Sequence, residues 1–467
     1  MQSFPNNTAE ARWTGAREVL EMSGPIILGS LSYTLMEFCD KAMVAQLGTD
    51  PLAATGSAAL WSYTLATAFI GVVGCVSTFA AQSLGRGHQE HCARYAWQGV
   101  YLSLLAAIVA LALWPLSGPL FHAMRHSAPV TDLELSYFRI RLFGYAAIAW
   151  GTALAAFFQA INRSMIPTYA AVVANITNLG LNYVLIFGKL GFPALGVTGA
   201  AIATIISQWV QTLLLQVIFL APRFDREYHT RSTWQVDMTR IRELLRIGLP
   251  NAASMFLDIA NWAIFTSFLV GGFGAASLAA HNIAVSFMHL SFMPAMALNQ
   301  GIAPIVGQWI GRGNPDRAQQ RTHTALRLAA AYMFCMGLVF AVFGGRLIDW
   351  VFSDDPQVIW LGHQMLLLAA IFQGFDALSI VSMGALRGAG DTRWMMWTMF
   401  FGAYCIFLPA ATVLAIPLHG GAVGAWIGAT IYIILLAGMM FFRFRSGRWR
   451  EINIFGEPPA RADGDSS

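Results

Sequence analysis

Gln82-Ser83-Leu84-Gly85-Arg86-Gly87 returns about 225 residues later as Gln308-Trp309-Ile310-Gly311-Arg312-Gly313. Other pairs keep the same offset. Leu52-Ala53-Ala54 returns as Leu278-Ala279-Ala280, Glu18 and Pro25 as Glu243 and Pro250, and Gly196 with Gly199-Ala200 as Gly421 with Gly424-Ala425. Four matches in register identify a duplicated chain. Gly85-Arg86-Gly87 and its copy follow apolar helical runs rather than strands. They read as tight turns, not phosphate loops.

What surrounds these turns decides the class. The chain has 467 residues, 57% hydrophobic and 11% charged, with a mean hydropathy of +0.57. A soluble domain carries about 25% charged residues to cover its surface. Here that cover is missing, so the outer surface must face a bilayer. Twelve apolar runs are long enough to span: 20–46, 54–80, 93–115, 135–158, 165–188, 196–221, 246–272, 277–306, 324–344, 358–386, 394–416 and 420–443. Barrel-type alternation is absent, which leaves helices. The first apolar run is too long for the core of a cleavable signal peptide and is expected to act as a spanning helix.

Each repeat holds six helices, an even number, so both halves insert the same way up. The expected fold is all-α, with twelve transmembrane helices in two six-helix bundles related by a parallel internal repeat. The expected divisions are 1–221 for the first bundle, 222–242 for a basic linker, 243–445 for the second bundle and 446–467 for a tail. Of the 28 Lys and Arg, 22 fall in the terminal segments and the loops on their side. Arg125, Arg139, Arg141, Lys189 and Arg346 fall on the opposite side, and Lys41 lies within the first run. The positive-inside rule then puts both termini in the cytoplasm. The five cysteines are at least 17 residues apart, without a metal-binding spacing, and read as small packing residues.

Of the 24 acidic residues, Glu37, Asp40, Asp258 and Asp376 fall inside spans, away from their ends. A charge at that depth costs roughly 3 kcal/mol or more, which makes each a functional candidate. Glu37 precedes Lys41 by four residues, a favourable spacing for a helical ion pair. Asp40, Asn178, Asn182 and Thr204 fall at similar depth in the distal half of the first bundle. Together they suit an all-oxygen site for a small hard cation; the carboxylate alone suits a proton, and interhelical hydrogen bonding is the alternative. Asp258 and Asp376 share a depth in the second bundle, with no base at that level. Each follows a polar stripe, Asn251-Ser254-Asp258-Asn261 and Gln373-Asp376-Ser379. Unpaired carboxylates there must be protonated or hold a cation, as a proton- or Na⁺-coupled carrier requires. Glu37, Asn261, Trp262, Phe265, Phe287, Met288, His289 and Gln373 are candidates for the cleft between the bundles, where aromatic and Met side chains suit flat apolar substrates. His281, His289 and Asn282 read as hydrogen-bonded residues rather than metal ligands. No Walker motif, HExxH or nucleophile–base set is present, so an enzyme is not expected.

At this point the chain resembles the multidrug and toxic compound extrusion (MATE) family, more closely its NorM-like branch. The resemblance covers roughly 15–445. It rests on Asp40-Lys41-Ala42-Met43-Val44-Ala45-Gln46-Leu47-Gly48, the Gln82 and Gln308 turns, Ala279-Ala280-His281-Asn282, and Ala385-Leu386-Arg387-Gly388-Ala389-Gly390-Asp391-Thr392. It implies export of organic cations or polyaromatic drugs, driven by Na⁺ or H⁺, from a multi-pass protein of the plasma (inner) membrane. No cofactor, nucleic acid or obligatory protein partner is expected. No metal is expected beyond Na⁺ at Asp40 or Asp376. The resemblance assigns Asp40, Asn178 and Asn182, with Thr204, to one cation site and Asp258 and Asp376 to another. Many members carry Glu where this chain has Asp258. A lipid-linked precursor flippase of the same superfamily is the alternative. It would be expected to need a strongly basic cleft, and Lys41 is the only base read within a span.

Overall fold

The computed structural model describes residues 8–124, 126–351 and 355–455. Arg125, Arg461 and the tail beyond 455 lie outside them. Every regular element among the described residues is helical. The first half consists of α1 (Thr8–Ala45), α2 (Thr49–Val73, resuming as Val76–Gly85), α3 (Gln89–Ala112), α4 (Ala128–Leu142 and Tyr145–Ala160), α5 (Met165–Phe187) and α6 (Gly196–Phe219). The second consists of α7 (Met238–Ile264), α8 (Ala275–Gly311), α9 (Pro315–Val351), α10 (Pro356–Ala389), α11 (Thr392–Phe401, later resuming as Leu408–Ala415) and α12 (Gly421–Arg445). Asp237 starts α7 as its cap, accepting from the backbone N–H groups of Thr239 and Arg240.

By length and apolarity ten of these helices qualify as membrane spans, and α4, bent by 46°, makes eleven. The twelfth, α8, has 37 residues. At 1.5 Å per residue that is about 55 Å, ample for a crossing. Its apolarity is diluted by His281, Asn282, His289, Asn299 and Gln308. Two spans carry π-helical turns, Phe265–Val270 continuing α7 and Gly402–Phe407 inside α11. The expected fourth span starts at residue 135, with Arg139 and Arg141 counted among the loop residues. Both lie in the helical segment Ala128–Leu142, so that expectation is corrected.

The two halves meet at the face that carries residues 222–242, here the linker face, and the duplicated motif forms the joint. Gln82 donates to the Gly388 carbonyl at the end of α10 (3.1 Å), and Gln308 donates to the Ala160 carbonyl at the end of α4 (2.7 Å). Each bundle thus reaches the end of the other's fourth helix. Gly85 and Gly311 face one another, and a Cβ on either would run into the opposite turn's backbone. Close helix approach of this kind needs small residues. The repeated carboxylates also cross over. Glu18 accepts from Trp309 Nε1 (3.1 Å) and Arg321 Nε (2.5 Å), and Glu243 accepts from the Tyr95 hydroxyl (2.6 Å).

Apolar packing is exchanged as well. Val19 and Met22 of α1 are buried in the second bundle's core, and Leu244, Ile247 and Ala252 of α7 in the first's. After α12 the chain crosses the same joint. Ile454 is buried, and the Phe455 ring lies 4.1 Å from the Arg86 guanidinium and edge-on to Phe79. Among the described residues, hydrogen bonds between the bundles stop at mid-span, where the Thr34 hydroxyl meets Met293 Sδ at 3.5 Å. The linker face is therefore closed.

Candidate cation sites and the cleft between the bundles

In the first bundle, α1 and α5 bring three of the four expected ligands together. Asn182 Nδ2 donates to Asp40 Oδ1 at 2.5 Å and lies 3.0 Å from the Asn178 side-chain oxygen. With its amide turned over, Asn178 also donates to Asp40, at 2.8 Å. Asn178 and Asn182 are fully buried, and Asn182 Oδ1 has no hydrogen-bond partner. An amide carries donors on one arm and an acceptor on the other. The pair can present nitrogens to an empty carboxylate, or turn its oxygens to a cation held by Asp40. One level nearer the linker face, Asn175 donates to Ser32 at 2.8 Å and fixes α5 against α1. Thr204 does not join the group. Its hydroxyl donates to the Ala200 carbonyl at 2.9 Å, beside Tyr137.

The expected Glu37–Lys41 pair does not form. Both side chains are exposed, and no ion pair joins them among the described residues. The charged groups within electrostatic reach of Asp40 are Glu37 and Arg141. Arg141 is a second base within a span, which the sequence reading missed. Its signal was local: taken with the helical run that starts at Ala128, it falls inside a helix rather than in a loop.

In the second bundle, Asp258 and Asp376 are half-buried and within electrostatic range of each other, with no base in range of either among the described residues. The buried Tyr432 hydroxyl lies in the field of both and has no hydrogen-bond partner. Nearby, Asn261 is buried with neither amide atom bonded. Gln373 donates to Ser291 at 2.8 Å and leaves its own oxygen free. Buried polar groups are nearly always satisfied in native proteins. Three such residues around one acidic pair mark a place where water, an ion or a ligand group belongs. Tyr432 was not legible as a site residue, because a tyrosine in an apolar run usually packs.

The other cleft candidates divide. Trp262, half-buried, packs on Phe265 and Phe407, where the two π-helical turns meet. Phe265 and Met288 are buried core residues, and Phe287 packs towards Phe340 on α9. His289 is exposed. His281 is satisfied: Trp426 Nε1 donates to its Nδ1 (3.2 Å), so Nε2 carries the proton and faces the Thr266 hydroxyl at 2.8 Å. No cluster of three His, Cys, Asp or Glu suited to a metal ion occurs among the described residues. Tyr63 of α2 is exposed and lies within electrostatic range of Glu37 in its own bundle and of Asp258 in the other.

Two helical bundles closed at one face, with acidic groups along the spans between them, define a membrane transporter. The chain belongs to the MatE family, whose model matches it twice, over residues 25–184 and 252–413. It is 31% identical over 435 residues to the multidrug resistance protein NorM of Burkholderia vietnamiensis, covering 92% of this chain and 93% of that protein. It is 26% identical over 441 residues to the multidrug resistance protein MdtK of Edwardsiella ictaluri, covering 93% and 96%. Among solved structures, the Vibrio cholerae MATE transporter VcmN superposes with a TM-score of 0.85 at 20% identity over 96% of this chain and all of that one. A multidrug resistance MATE transporter solved in an outward-facing conformation gives the same score over 92% and 95%. The fold is thus the twelve-helix, two-bundle fold of these transporters, and the protein is a multi-pass membrane transporter rather than an enzyme.

Proposed function

We propose that the protein is a secondary exporter of drug-like organic cations or polyaromatic compounds. It would exchange them for Na⁺ or H⁺ by rocking its two bundles, 1–221 and 243–445, about a central cleft. The observation that carries the reading is the acidic pair Asp258 and Asp376 in the membrane-spanning part of the second bundle, without a base in range among the described residues and with unsatisfied polar groups on Asn261, Gln373 and Tyr432. Such a pair cannot stay doubly charged in a medium of low dielectric, so it takes up cations on one side and releases them on the other. Asp40, Asn178 and Asn182 would form a second cation site, with Thr204 at its margin. Na⁺ fits the donors there, a carboxylate and two amides, since hard cations prefer oxygen ligands. Glu37, Tyr63, Trp262, Asn261 and Gln373 would meet the substrate. The names of the relatives support drug-like substrates.

The positive-inside rule supports cytoplasmic termini, which makes the linker face the inner one and this conformation the outward-open one. The flippase alternative is not favoured. Arg141 adds one base to the spans, but a single base within electrostatic range of Asp40 makes no basic cleft for a pyrophosphate. The test is substrate transport in sealed vesicles with Na⁺ and pH gradients imposed separately. Uphill transport under one gradient is expected, and transport under neither would refute antiport.

A further inference from the structure

The chain after α12 takes a path that its counterpart in the first repeat does not. At the repeat offset of about 225 residues, Trp449 corresponds to Phe224 and Ile454 to His229. After α6 the chain stays on its own bundle. Phe224 packs edge-on to Phe158, and the carbonyls of Thr230 and Gln235 accept from Trp97 and Gln98 of α3 at 2.8 Å and 3.0 Å. After α12 the path begins alike. Gly447 makes a left-handed turn (φ 74°) into the 3₁₀ turn Arg448–Glu451. There the buried Trp449 stacks on the Phe444 ring at 5.3 Å and donates to the Phe444 carbonyl at 2.7 Å. Arg450 pairs with Asp316 of α9 at 2.9 Å. These contacts fasten the turn to the second bundle.

The next residues then cross to the other bundle. Ile452 packs against the cores of both. Ile454 is 3% exposed and buried in the first bundle's core, yet it also lies so close to Gly390 at the end of α10 that a Cβ there would run into it. Phe455 touches only the first bundle, edge-on to Phe79 at 5.8 Å and against the Arg86 guanidinium at 4.1 Å. Ile454 thus fills the seam between the bundles. Parting them at the linker face strips one side of it, whichever bundle it follows. Four residues separate it from the Arg450 anchor, a reach of at most about 14 Å when fully extended. We propose that residues 448–455 form a strap that locks the linker face, with its anchor on the second bundle and its foot, Ile454 and Phe455, in the first. This rests on the reading that the two bundles rock. The foot must leave before the face can open, and exposing it to water is unfavourable. The strap therefore favours the conformation described here and sets how often the carrier opens at the linker face.

The test uses the full chain in lipid nanodiscs. In one arm the native cysteines are replaced by Ser or Ala, and spin labels are placed at Arg163→Cys and Arg393→Cys, two exposed positions at the linker-face ends of the first and second bundles. Pulsed electron–electron distance measurement then reads the separation. A minor long-distance population is expected in the parent. Ile454→Asp should raise it at least about tenfold, the worth of burying one aliphatic side chain, whereas Ile454→Val, which keeps an apolar foot, should change it less than about threefold. The second arm stands even if Ile454→Asp does not fold. Cys75 and Cys92 are kept, Cys39, Cys335 and Cys405 are replaced by Ser, and a short bismaleimide tethers Phe455→Cys to Arg86→Cys. Tethering should slow labelling of the buried Cys75 by a water-soluble thiol reagent at least about tenfold and leave Cys92 unchanged. A parental long-distance population that Ile454→Asp does not raise would overturn the strap alone, as would a Cys75 rate that the tether does not slow. No long-distance population in either chain would overturn the rocking reading, and the proposal with it.

Discussion

If the crossed contacts at the linker face hold the bundles together, removing one should open that face by a calculable amount. Arg321→Met keeps an unbranched apolar stem in place of the arginine and deletes the charged end that meets Glu18. The Arg321 side chain is 6% exposed and Glu18 is 33% exposed. A hydrogen bond to a charged group contributes about 1.5–3 kcal/mol net. Glu18 keeps its bond from Trp309 and some water, so the low end applies, about 1.5 kcal/mol. At 1.4 kcal/mol per tenfold, the population open at the linker face rises roughly tenfold.

The chain carries its own reporter of that change. Cys75 is buried, and it shares a helical stripe with Gly71, Thr78 and Gln82, all of which face the other bundle. Cys92 is buried inside the first bundle, its thiol bonded to the Ala80 carbonyl at 3.2 Å. With Cys39, Cys335 and Cys405 replaced by Ser, the labelling rate of Cys75 by a water-soluble thiol reagent should rise about tenfold in Arg321→Met, while that of Cys92 stays constant. An unchanged Cys75 rate would refute the latch. Equal rises at both cysteines would mean that the bundle loosens instead of rocking.

Three further outcomes are expected. Asp376→Asn should express normally and lose gradient-driven export in vesicles. One monovalent cation crossing about 150 mV releases roughly 3.5 kcal/mol, enough for a roughly 300-fold gradient of a neutral substrate, and undiminished uphill transport by this variant would move coupling to Asp40 or Asp258. Ala replacements of Asp40, Asn178 and Asn182 should each weaken cation binding and combine non-additively, because side chains sharing one ion act as a unit; additive losses would argue for separate roles. An engineered cysteine near the C-terminus should react from outside only after permeabilisation, and ready labelling of intact cells would invert the topology.

The sequence by itself determined the medium, the helix count and the duplication. These follow from one-dimensional quantities: run length against bilayer thickness, missing charge, and motif spacing. It also picked out Asp40, Asn178, Asn182, Asp258 and Asp376, because carboxylates and amides in apolar runs are rare and costly. It did not reveal that Glu37 and Lys41 stay exposed and unpaired among the described residues, since helical spacing says which side chains can meet and not which do. Nor did it reveal Tyr432, whose buried hydroxyl matters only because α12 carries it into the field of two aspartates on other helices. Gly85 and Gly311 read as turn residues, yet their role is to let two turns from opposite bundles touch. Tertiary structure alone decided which charges neutralise one another. Electrostatic energy depends on separation in space and on local dielectric, and neither is carried by position along the chain.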